Sequence, residues 1–299
     1  MKKLVKVLLA LVVCLLLAAG AGAAVVTSKF DGALTKQWAV AADDVVVPTD
    51  DASLTEGKRL LVARGCADCH AADLGGRYFF EDKALGRFYS SDLSPSGRVG
   101  QWSDAVLARA IRHGIDADGH ALRFMPSHEF SHISNRDMGM LIRAMRAVPP
   151  TNRPAEPWQI NFIAKAITVA GLFPLIPADI IDHANVKPTD IVPAPSIEFG
   201  KYLVPGCFGC HGQNLSGGPI PGAGPEVPVP KNLTPDMATG LGRWTPEQFV
   251  TLMRTGKRPD GSQTDPFMPW KVYGAMTDDE LNGLYAYLHS LPPAPFGGR

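Results

Sequence analysis

Two pentapeptides decide the fold of this chain: Cys66-Ala67-Asp68-Cys69-His70 and Cys207-Phe208-Gly209-Cys210-His211. Both have the pattern Cys-x-x-Cys-His, which is typical of covalent attachment of a c-type haem. The two thiols form thioethers to the macrocycle, and the adjacent histidine becomes the proximal ligand of the iron. A zinc site would use both pairs of cysteines together, whereas here each pair has its own histidine. The pattern predicts two covalently bound haem c groups, attached through Cys66, Cys69, Cys207 and Cys210, with His70 and His211 as iron ligands.

The two motifs belong to an internal repeat. The offset from His70 to His211 is 141 residues, and Pro149-Pro150 and Pro292-Pro293 close the two units at an offset of 143. Such a regular period indicates one module that has been duplicated.

Each module has the same predicted order of helices. A short helix leads into the haem motif, over 55–61 and 196–203, where Ser or Thr at its start can cap the first amides. Gly57 and Gly200 occupy matching places in these helices, which lets another helix cross closely. A second helix follows Trp102 or Trp244, and the last one runs over 137–148 or 278–291 until the Pro-Pro pair ends it.

Methionine is the predicted second axial ligand of each iron. Met125 lies in Phe124-Met125-Pro126, 55 residues after His70, and Met268 lies in Phe267-Met268-Pro269, 57 residues after His211. A methionine ligand raises the reduction potential of a haem. Four histidines near Met125 leave a bis-histidine first haem open as an alternative: His113, His120, His128 and His132.

The N-terminal segment predicts a membrane helix or a signal peptide. Three lysines precede an uninterrupted apolar run over 7–26, long enough to cross a hydrocarbon core. The run continues past Ala21-Gly22-Ala23, the candidate cleavage site, which favours a retained anchor over a cleaved signal. Because haem is attached to thiols outside the cytoplasm, the predicted location is the periplasmic side of the bacterial inner membrane. The alternative is a soluble periplasmic protein after signal cleavage.

The charge composition gives no sign of a nucleic-acid partner, and an apolar segment separates the two modules. The chain has 29 basic and 29 acidic residues, so nothing suggests nucleic acid. The segment between the modules is apolar but broken by prolines. We expect a helix near 160–172 that packs across both modules or lies against the membrane surface.

The predicted fold is mainly α, with two tandem cytochrome c domains. The predicted divisions are 1–27 (anchor or signal), 28–54 (linker), 55–150 (first domain), 151–195 (inter-domain apolar linker or helix), 196–293 (second domain) and 294–299 (tail).

Several stretches resemble the haem modules of the cytochrome c subunits of membrane-bound alcohol and gluconate dehydrogenases. They are Phe88–Pro95, Gly100–Ser103, Ile111–Gly114 and Phe124–Pro126 in the first module, with Asn232–Pro235, Gly242–Thr245 and Asp278–Leu281 in the second. Those subunits carry three haems, whereas this chain has two attachment motifs. The chain looks closer to the anchored dihaem proteins of that superfamily. The resemblance implies a cytochrome c fold, His/Met ligation and electron transfer outside the cytoplasm.

The predicted function is therefore electron transfer between a dehydrogenase or respiratory complex and an oxidase or soluble cytochrome. The alternative is a dihaem redox enzyme, peroxidase-like, in which one iron is open. A peroxidase needs an acid–base group above that iron. Only His113 and Glu129 are attractive candidates, and Met125 is predicted to occupy the position that they would serve. We therefore expect an electron carrier, or an electron-transfer subunit of an oxidoreductase complex, rather than an enzyme.

Overall fold

The two halves of the chain fold into the same succession of helices. The computed structural model describes residues 2–299. The α-helices are α1 Lys2–Thr35, α2 Asp51–Ala63, α3 Cys66–His70, α4 Asp104–His113, α5 Ser127–Phe130, α6 Asn135–Arg146, α7 Phe162–Val169, α8 Ile197–Leu203, α9 Pro205–His211, α10 Pro246–Thr255, α11 Trp270–Tyr273 and α12 Asp278–Ser290. Helices α2–α6 of the first half correspond in order to α8–α12 of the second. Three short strands complete the regular structure: β1 Tyr78–Asp82, β2 Gly86–Tyr89 and β3 Gln159–Ile160.

The first and last helices of each half cross at a glycine, as the sequence predicts. A Cβ atom on Gly57 of α2 would lie 2.0 Å from the carbonyl oxygen of Met140 in α6. A Cβ atom on Gly200 of α8 would lie equally close, 2.0 Å, to the carbonyl oxygen of Gly283 in α12. Only a residue without a side chain allows the two backbones to approach so closely.

The predicted helix boundaries are accurate in the second half and less so in the first. Ser196 caps α8, since its side chain accepts a hydrogen bond from the amide of Phe199. The expectation that α2 begins near Thr55 is wrong, because this helix starts at Asp51 and Asp50 is the capping residue. Asp50 accepts from the Ser53 amide at 2.8 Å, and a carboxylate at this position also complements the helix dipole.

Helix α1 is the one helix among residues 2–299 that is long and apolar enough to cross a membrane. Its 34 residues correspond to a length of about 51 Å. The predicted linker over 28–54 is partly wrong, because α1 continues to Thr35. Phe30 is the buried residue of this extension, and Lys165 of α7 forms an ion pair with Asp31 at 3.2 Å. The end of α1 is therefore packed against the folded body.

The segment between the halves forms a second, smaller apolar core. Its helix, α7, is shorter than predicted and packs beside α1, which corrects the expectation that it packs across both modules. Strands β1, β2 and β3 form an antiparallel sheet that the sequence analysis did not anticipate. The sheet and α7 enclose Phe30, Phe88, Ala164, Leu175 and Ile176.

The two halves share one main hydrophobic core and several buried polar contacts. Arg59 of α2 pairs with Glu280 of α12 at 2.6 Å. Asp137 of α6 accepts a hydrogen bond from the Tyr202 hydroxyl of α8 at 2.7 Å and pairs with Arg64 at 3.2 Å. These contacts hold the halves in a defined relative position.

Candidate functional site

Each Cys-x-x-Cys-His motif forms its own short helix. The first motif is α3, Cys66–His70, and the second occupies the end of α9, Pro205–His211. All four cysteines are free, and burial raises the pKa of the Cys66 and Cys207 thiols to about 12. Within residues 2–299 no three Cys, His, Asp or Glu side chains converge on a point that would hold a metal ion. This arrangement suits two separate attachment sites rather than a shared zinc site.

The two motif histidines are oriented by the same kind of hydrogen bond. Nδ1 of His70 lies 2.8 Å from the carbonyl oxygen of Ser91, and Nδ1 of His211 lies 2.7 Å from that of Lys231. A carbonyl only accepts, so Nδ1 carries the proton and Nε2 has a free lone pair. Burial lowers the pKa of both imidazoles, which keeps them neutral. A neutral ring whose second nitrogen is fixed in this way is what iron ligation requires.

A tight loop after each histidine has the same backbone conformation in both halves. The amide of Gly76 donates to the carbonyl of His70 at 3.0 Å, and the amide of Gly217 donates to that of His211 at 2.9 Å. Both glycines have positive φ, +80° and +70°. A Cβ atom on Gly76 would lie 2.4 Å from the carbonyl oxygen of Ser90. The loop thus depends on glycine to bring the segment that ends at Ser91 against the histidine.

Met125 and Met268 lie at the start of identical turns. The carbonyl of Met125 accepts from the Ser127 amide at 2.7 Å, and that of Met268 accepts from the Trp270 amide at 2.7 Å. The prolines between them have the same dihedral angles, φ −77° and ψ 55° for Pro126 and φ −78° and ψ 54° for Pro269. These angles define an inverse γ-turn. Both methionines are partly buried. The two Met-Pro turns share their backbone conformation, whereas the preceding phenylalanines differ, because only Phe124 has a positive φ, +60°.

Three of the four rival histidines are engaged elsewhere in the protein. Nδ1 of His113 lies 3.0 Å from Nδ1 of His183, Nε2 of His120 lies 2.7 Å from the Gln37 amide nitrogen, and Nε2 of His132 donates to the Tyr202 carbonyl at 2.7 Å. His128 differs, because its Nδ1 is buried without a hydrogen-bond partner. These contacts favour Met125 over three of the histidines as a ligand of the first iron.

Sequence analysis missed one pair of arginines that positions the methionine segments. Arg112 of α4 is fully buried and donates to the carbonyl of Ile133 at 2.9 Å. Arg254 of α10 donates to the carbonyl of Met276, the corresponding residue of the second half, at 2.5 Å. Each arginine thereby ties the end of the segment that follows the methionine to the preceding long helix. The detectable signal was an arginine two residues before a glycine in both repeats.

The second half also links its methionine segment to its own haem motif. The Tyr273 hydroxyl of α11 donates to the carbonyl of Gly206 in α9 at 2.9 Å. In the first half, no hydrogen bond among residues 2–299 joins α5 to α3, and α5 packs instead against α9 of the other half. Both methionine segments contact the other half, but among residues 2–299 only that of the second half is hydrogen-bonded to the haem-motif helix of its own half.

The chain is similar to known c-type cytochromes. The family model for cytochrome c matches residues 197–292. The cytochrome c subunit of a quinone-dependent alcohol dehydrogenase from Gluconacetobacter polyoxogenes is 30% identical over an aligned length of 281, and the match covers 83% of this chain and 58% of that protein. A dihaem cytochrome c-type protein from Cereibacter sphaeroides is 27% identical over 270 residues, 80% of this chain and 86% of that protein. The cytochrome c subunit of a gluconate 2-dehydrogenase from Pantoea cypripedii is 33% identical over 105 residues, 32% of this chain and 24% of that protein.

These findings establish that the chain contains a cytochrome c domain and hence carries covalently bound haem c. The chain as a whole is similar to the cytochrome c subunits of quinone-linked dehydrogenases, as the residue patterns predict, and spans 58% of the length of the alcohol dehydrogenase subunit. Electron transfer is the function that such cytochromes share.

The side chains present fit a haem. Free thiols, a neutral histidine with one free nitrogen and a thioether sulfur are the donors that covalent haem with His/Met ligation uses. The carbonyl that accepts from each Nδ1 is the outer partner expected for an iron-bound histidine.

Proposed function

We propose that the chain is a dihaem c-type cytochrome that transfers electrons outside the cytoplasm. One observation carries the proposal: both halves contain an oriented, neutral histidine and a Met-Pro turn of the same backbone geometry. The bound haem supplies a one-electron couple between ferric and ferrous iron. The protein's contribution is to hold the cofactor, set its potential and restrict access to the iron.

The proposed roles of the chain's residues follow from their chemistry. Cys66, Cys69, Cys207 and Cys210 hold the macrocycles as thioethers. His70 and His211 present Nε2 to the iron, while the carbonyls of Ser91 and Lys231 fix the ring planes. Met125 and Met268 would supply the second protein ligand to each iron, which would raise the reduction potentials and exclude small ligands.

The proposed partners are redox proteins. The similar proteins named as cytochrome subunits of alcohol, fructose and gluconate dehydrogenases support a dehydrogenase as electron donor. A respiratory complex is the other proposed donor, and the acceptor is an oxidase or a soluble cytochrome. Balanced charge on the chain makes a strongly charged partner unnecessary for recognition.

The proposed location is the periplasmic side of the inner membrane, with residues 7–26 as the anchor. Side chains of this segment project away from the folded body; Leu15, for example, is 69% exposed. Where α1 meets the body, the neighbouring α7 segment also exposes large apolar side chains, among them Phe162, Ile163 and Leu172. A contiguous apolar surface at the end of a candidate membrane helix suits contact with the bilayer interface.

The test of this proposal is the optical spectrum of the reduced full-length protein with and without carbon monoxide, combined with a haem count. Two haems per chain and no prompt spectral change on adding carbon monoxide are expected, because both irons are six-coordinate. Rapid binding at half of the haem would instead support a redox enzyme with one open iron. A single haem per chain would refute the dihaem assignment.

A further inference from the structure

Glu129 reaches from the first half of the chain to the haem motif of the second. It lies in α5, four residues after Met125, and α5 packs against α9. A Cβ atom placed on Gly209, between Cys207 and Cys210, would lie 2.8 Å from Oε1 of Glu129. The side chain of Glu129 is only 18% exposed. A carboxyl group therefore lies against the peptide that carries the second haem.

The first haem motif has a carboxyl of its own, Asp68, whose charge adds to burial in raising the pKa of the Cys69 thiol. Asp68 is exposed to solvent, however, and the residue that reaches this motif from the other half is apolar. Val272 of α11 is the counterpart of Glu129 in the second half. Each of the two residues lies four positions after the methionine of its own half. Val272 faces Gly65, directly before the first motif, with Cγ1 3.8 Å from the position of a Gly65 Cβ. Each methionine segment thus contacts the other half's haem motif, but only one of the two contacts includes an ionisable group.

The surroundings of Glu129 leave its charge uncompensated. Among residues 2–299, the one basic group within 4 Å of the Glu129 carboxyl is Nε2 of His128, at 3.9 Å. Burial lowers the pKa of His128, so that its ring is neutral near pH 7. Burial raises the pKa of Tyr273, which is neutral as well. The guanidinium of Arg299 donates to the carbonyls of Cys210 at 2.7 Å and Gly218 at 2.9 Å and forms no ion pair with Glu129. Arg64 of the first half is engaged by Asp137 at 3.2 Å.

Burial raises the pKa of Glu129 to about 7, against a smaller opposing effect from its hydrogen bond with the Gly209 backbone. Its negative charge is also felt at both sulfurs of the second motif, where it adds to burial in raising the pKa of the Cys207 and Cys210 thiols. The carboxyl is therefore close enough to interact electrostatically with a haem attached through those two sulfurs.

We propose that Glu129 takes up a proton when the second haem is reduced, and so makes the reduction potential of this haem depend on pH. This inference rests on the proposed dihaem function. In the coupled step, one electron from the donor, a quinol or a reduced dehydrogenase cofactor, converts ferric to ferrous iron. One proton from solvent forms an O–H bond with the Glu129 carboxylate, so that the net charge of the region is unchanged.

The sign of the effect follows from Coulomb's law. Adding an electron to the second haem raises the energy of a nearby ionised carboxylate. The pKa of Glu129 is therefore higher when this haem is reduced than when it is oxidised. Between these two pKa values the potential falls as pH rises, and outside that interval it is constant. Loss of the carboxylate raises the potential at high pH, where the wild-type side chain is ionised.

The experiment is a spectroelectrochemical titration of the full-length dihaem protein between pH 5 and 9, for the wild type and for Glu129→Gln. We expect the equilibrium constant for reduction of one haem to fall about tenfold across this range in the wild type, which is about 59 mV for one electron. Glu129→Gln should abolish this dependence and leave the other haem unchanged. Met268→His identifies the second haem, because loss of the methionine ligand lowers its potential.

Three further measurements separate coupling from structural damage. Glu129→Asp should restore a pH-dependent potential, and Val272→Glu should make the first haem pH-dependent as well. A redox-difference infrared spectrum of the wild type should contain a protonated carboxyl band on reduction, and that band should be missing in Glu129→Gln. If two haems are present and the pH dependence is the same in wild type and Glu129→Gln, the assignment of Glu129 is wrong, although the dihaem proposal survives. A count of one haem per chain would refute the dihaem proposal itself.

Discussion

Replacing Gly200 with alanine tests the helix crossing on which the second half is built. The added Cβ atom would lie 2.0 Å from the carbonyl oxygen of Gly283, 2.6 Å from its carbonyl carbon and 2.6 Å from Cβ of Tyr287. None of these atoms is the end of a flexible side chain. The clash is therefore relieved only if α8 and α12 move apart by more than about 1 Å to reach ordinary contact distance.

That movement disturbs a closely packed interface. Phe199 and Leu203 of α8 are 3% exposed, and Leu281, Leu284 and Leu288 of α12 are at most 2% exposed. Forcing extra volume into such a core costs about 1–3 kcal/mol, and backbone contacts on both sides place this substitution near the upper end. The better helix propensity of alanine offsets about 1 kcal/mol. We expect a net loss of about 2 kcal/mol in the free energy of unfolding.

The assay is thermal unfolding of the full-length haem-loaded protein, followed by circular dichroism. Because the two halves share one core, the unfolding unit is larger than about 150 residues, and a loss of about 2 kcal/mol lowers the transition midpoint by roughly 4–8 °C. The matched control is Gly206→Ala, a helical glycine of α9 whose Cβ would find only the Tyr273 hydroxyl, at 3.8 Å. If Gly200→Ala unfolds within 2 °C of both wild type and Gly206→Ala, the close crossing is not a determinant of stability.

Four further outcomes are expected. Met268→Ala should keep the second haem attached but allow the reduced protein to bind carbon monoxide; an unchanged spectrum would show that Met268 is not a ligand. Replacing Cys66 and Cys69 together with alanine should remove one haem and leave the other, as measured by the pyridine haemochrome, whereas loss of both haems would show that the halves do not load independently. Arg112→Met should lower the free energy of unfolding by about 3 kcal/mol, because Asp43, its partner at 3.1 Å, is left without its counter-ion; denaturant unfolding measures this, and a loss below 1 kcal/mol would contradict it. A fluorophore on a cysteine at position 163, with Cys14 replaced by alanine, should shift to the blue in phosphatidylcholine–phosphatidylglycerol vesicles. The same label at the exposed position 46 should not shift, and equal spectra at both positions would refute membrane contact by α7.

Local sequence was sufficient for features that depend on a few neighbouring residues. The Cys-x-x-Cys-His spacing places both sulfurs and the histidine on one short helix, which is what the structure has at α3 and α9. Ser196 and Thr277 begin their helices because a side-chain oxygen at the cap position satisfies a free amide. The repeat also predicted that Gly57 and Gly200 each allow a close crossing of two helices, since a glycine repeated at the same place within a helix indicates a close backbone approach.

Features that depend on residues far apart in the sequence could not be predicted in this way. The extension of α1 to Thr35 is stabilised by Phe30, which is buried among aromatic residues from distant segments. The three-stranded sheet forms because the segment after the first module returns to pair with β2, with Gly86 opposite Ile160. Such long-range pairings leave little trace in the periodicity of short strands.

By itself, the sequence determined that each Cys-x-x-Cys-His motif lies on its own short helix, the duplicated helix order and the apolar N-terminal helix, because each is encoded within a few turns of the chain. Only the tertiary structure decided which histidines remain available, that Arg112 and Arg254 support the methionine segments, and that α7 lies beside α1. It also placed the carboxyl of Glu129, from the first half, against the haem motif of the second half. The physical reason is that burial and charge act through space, and the groups that set them are brought together only when the two halves pack.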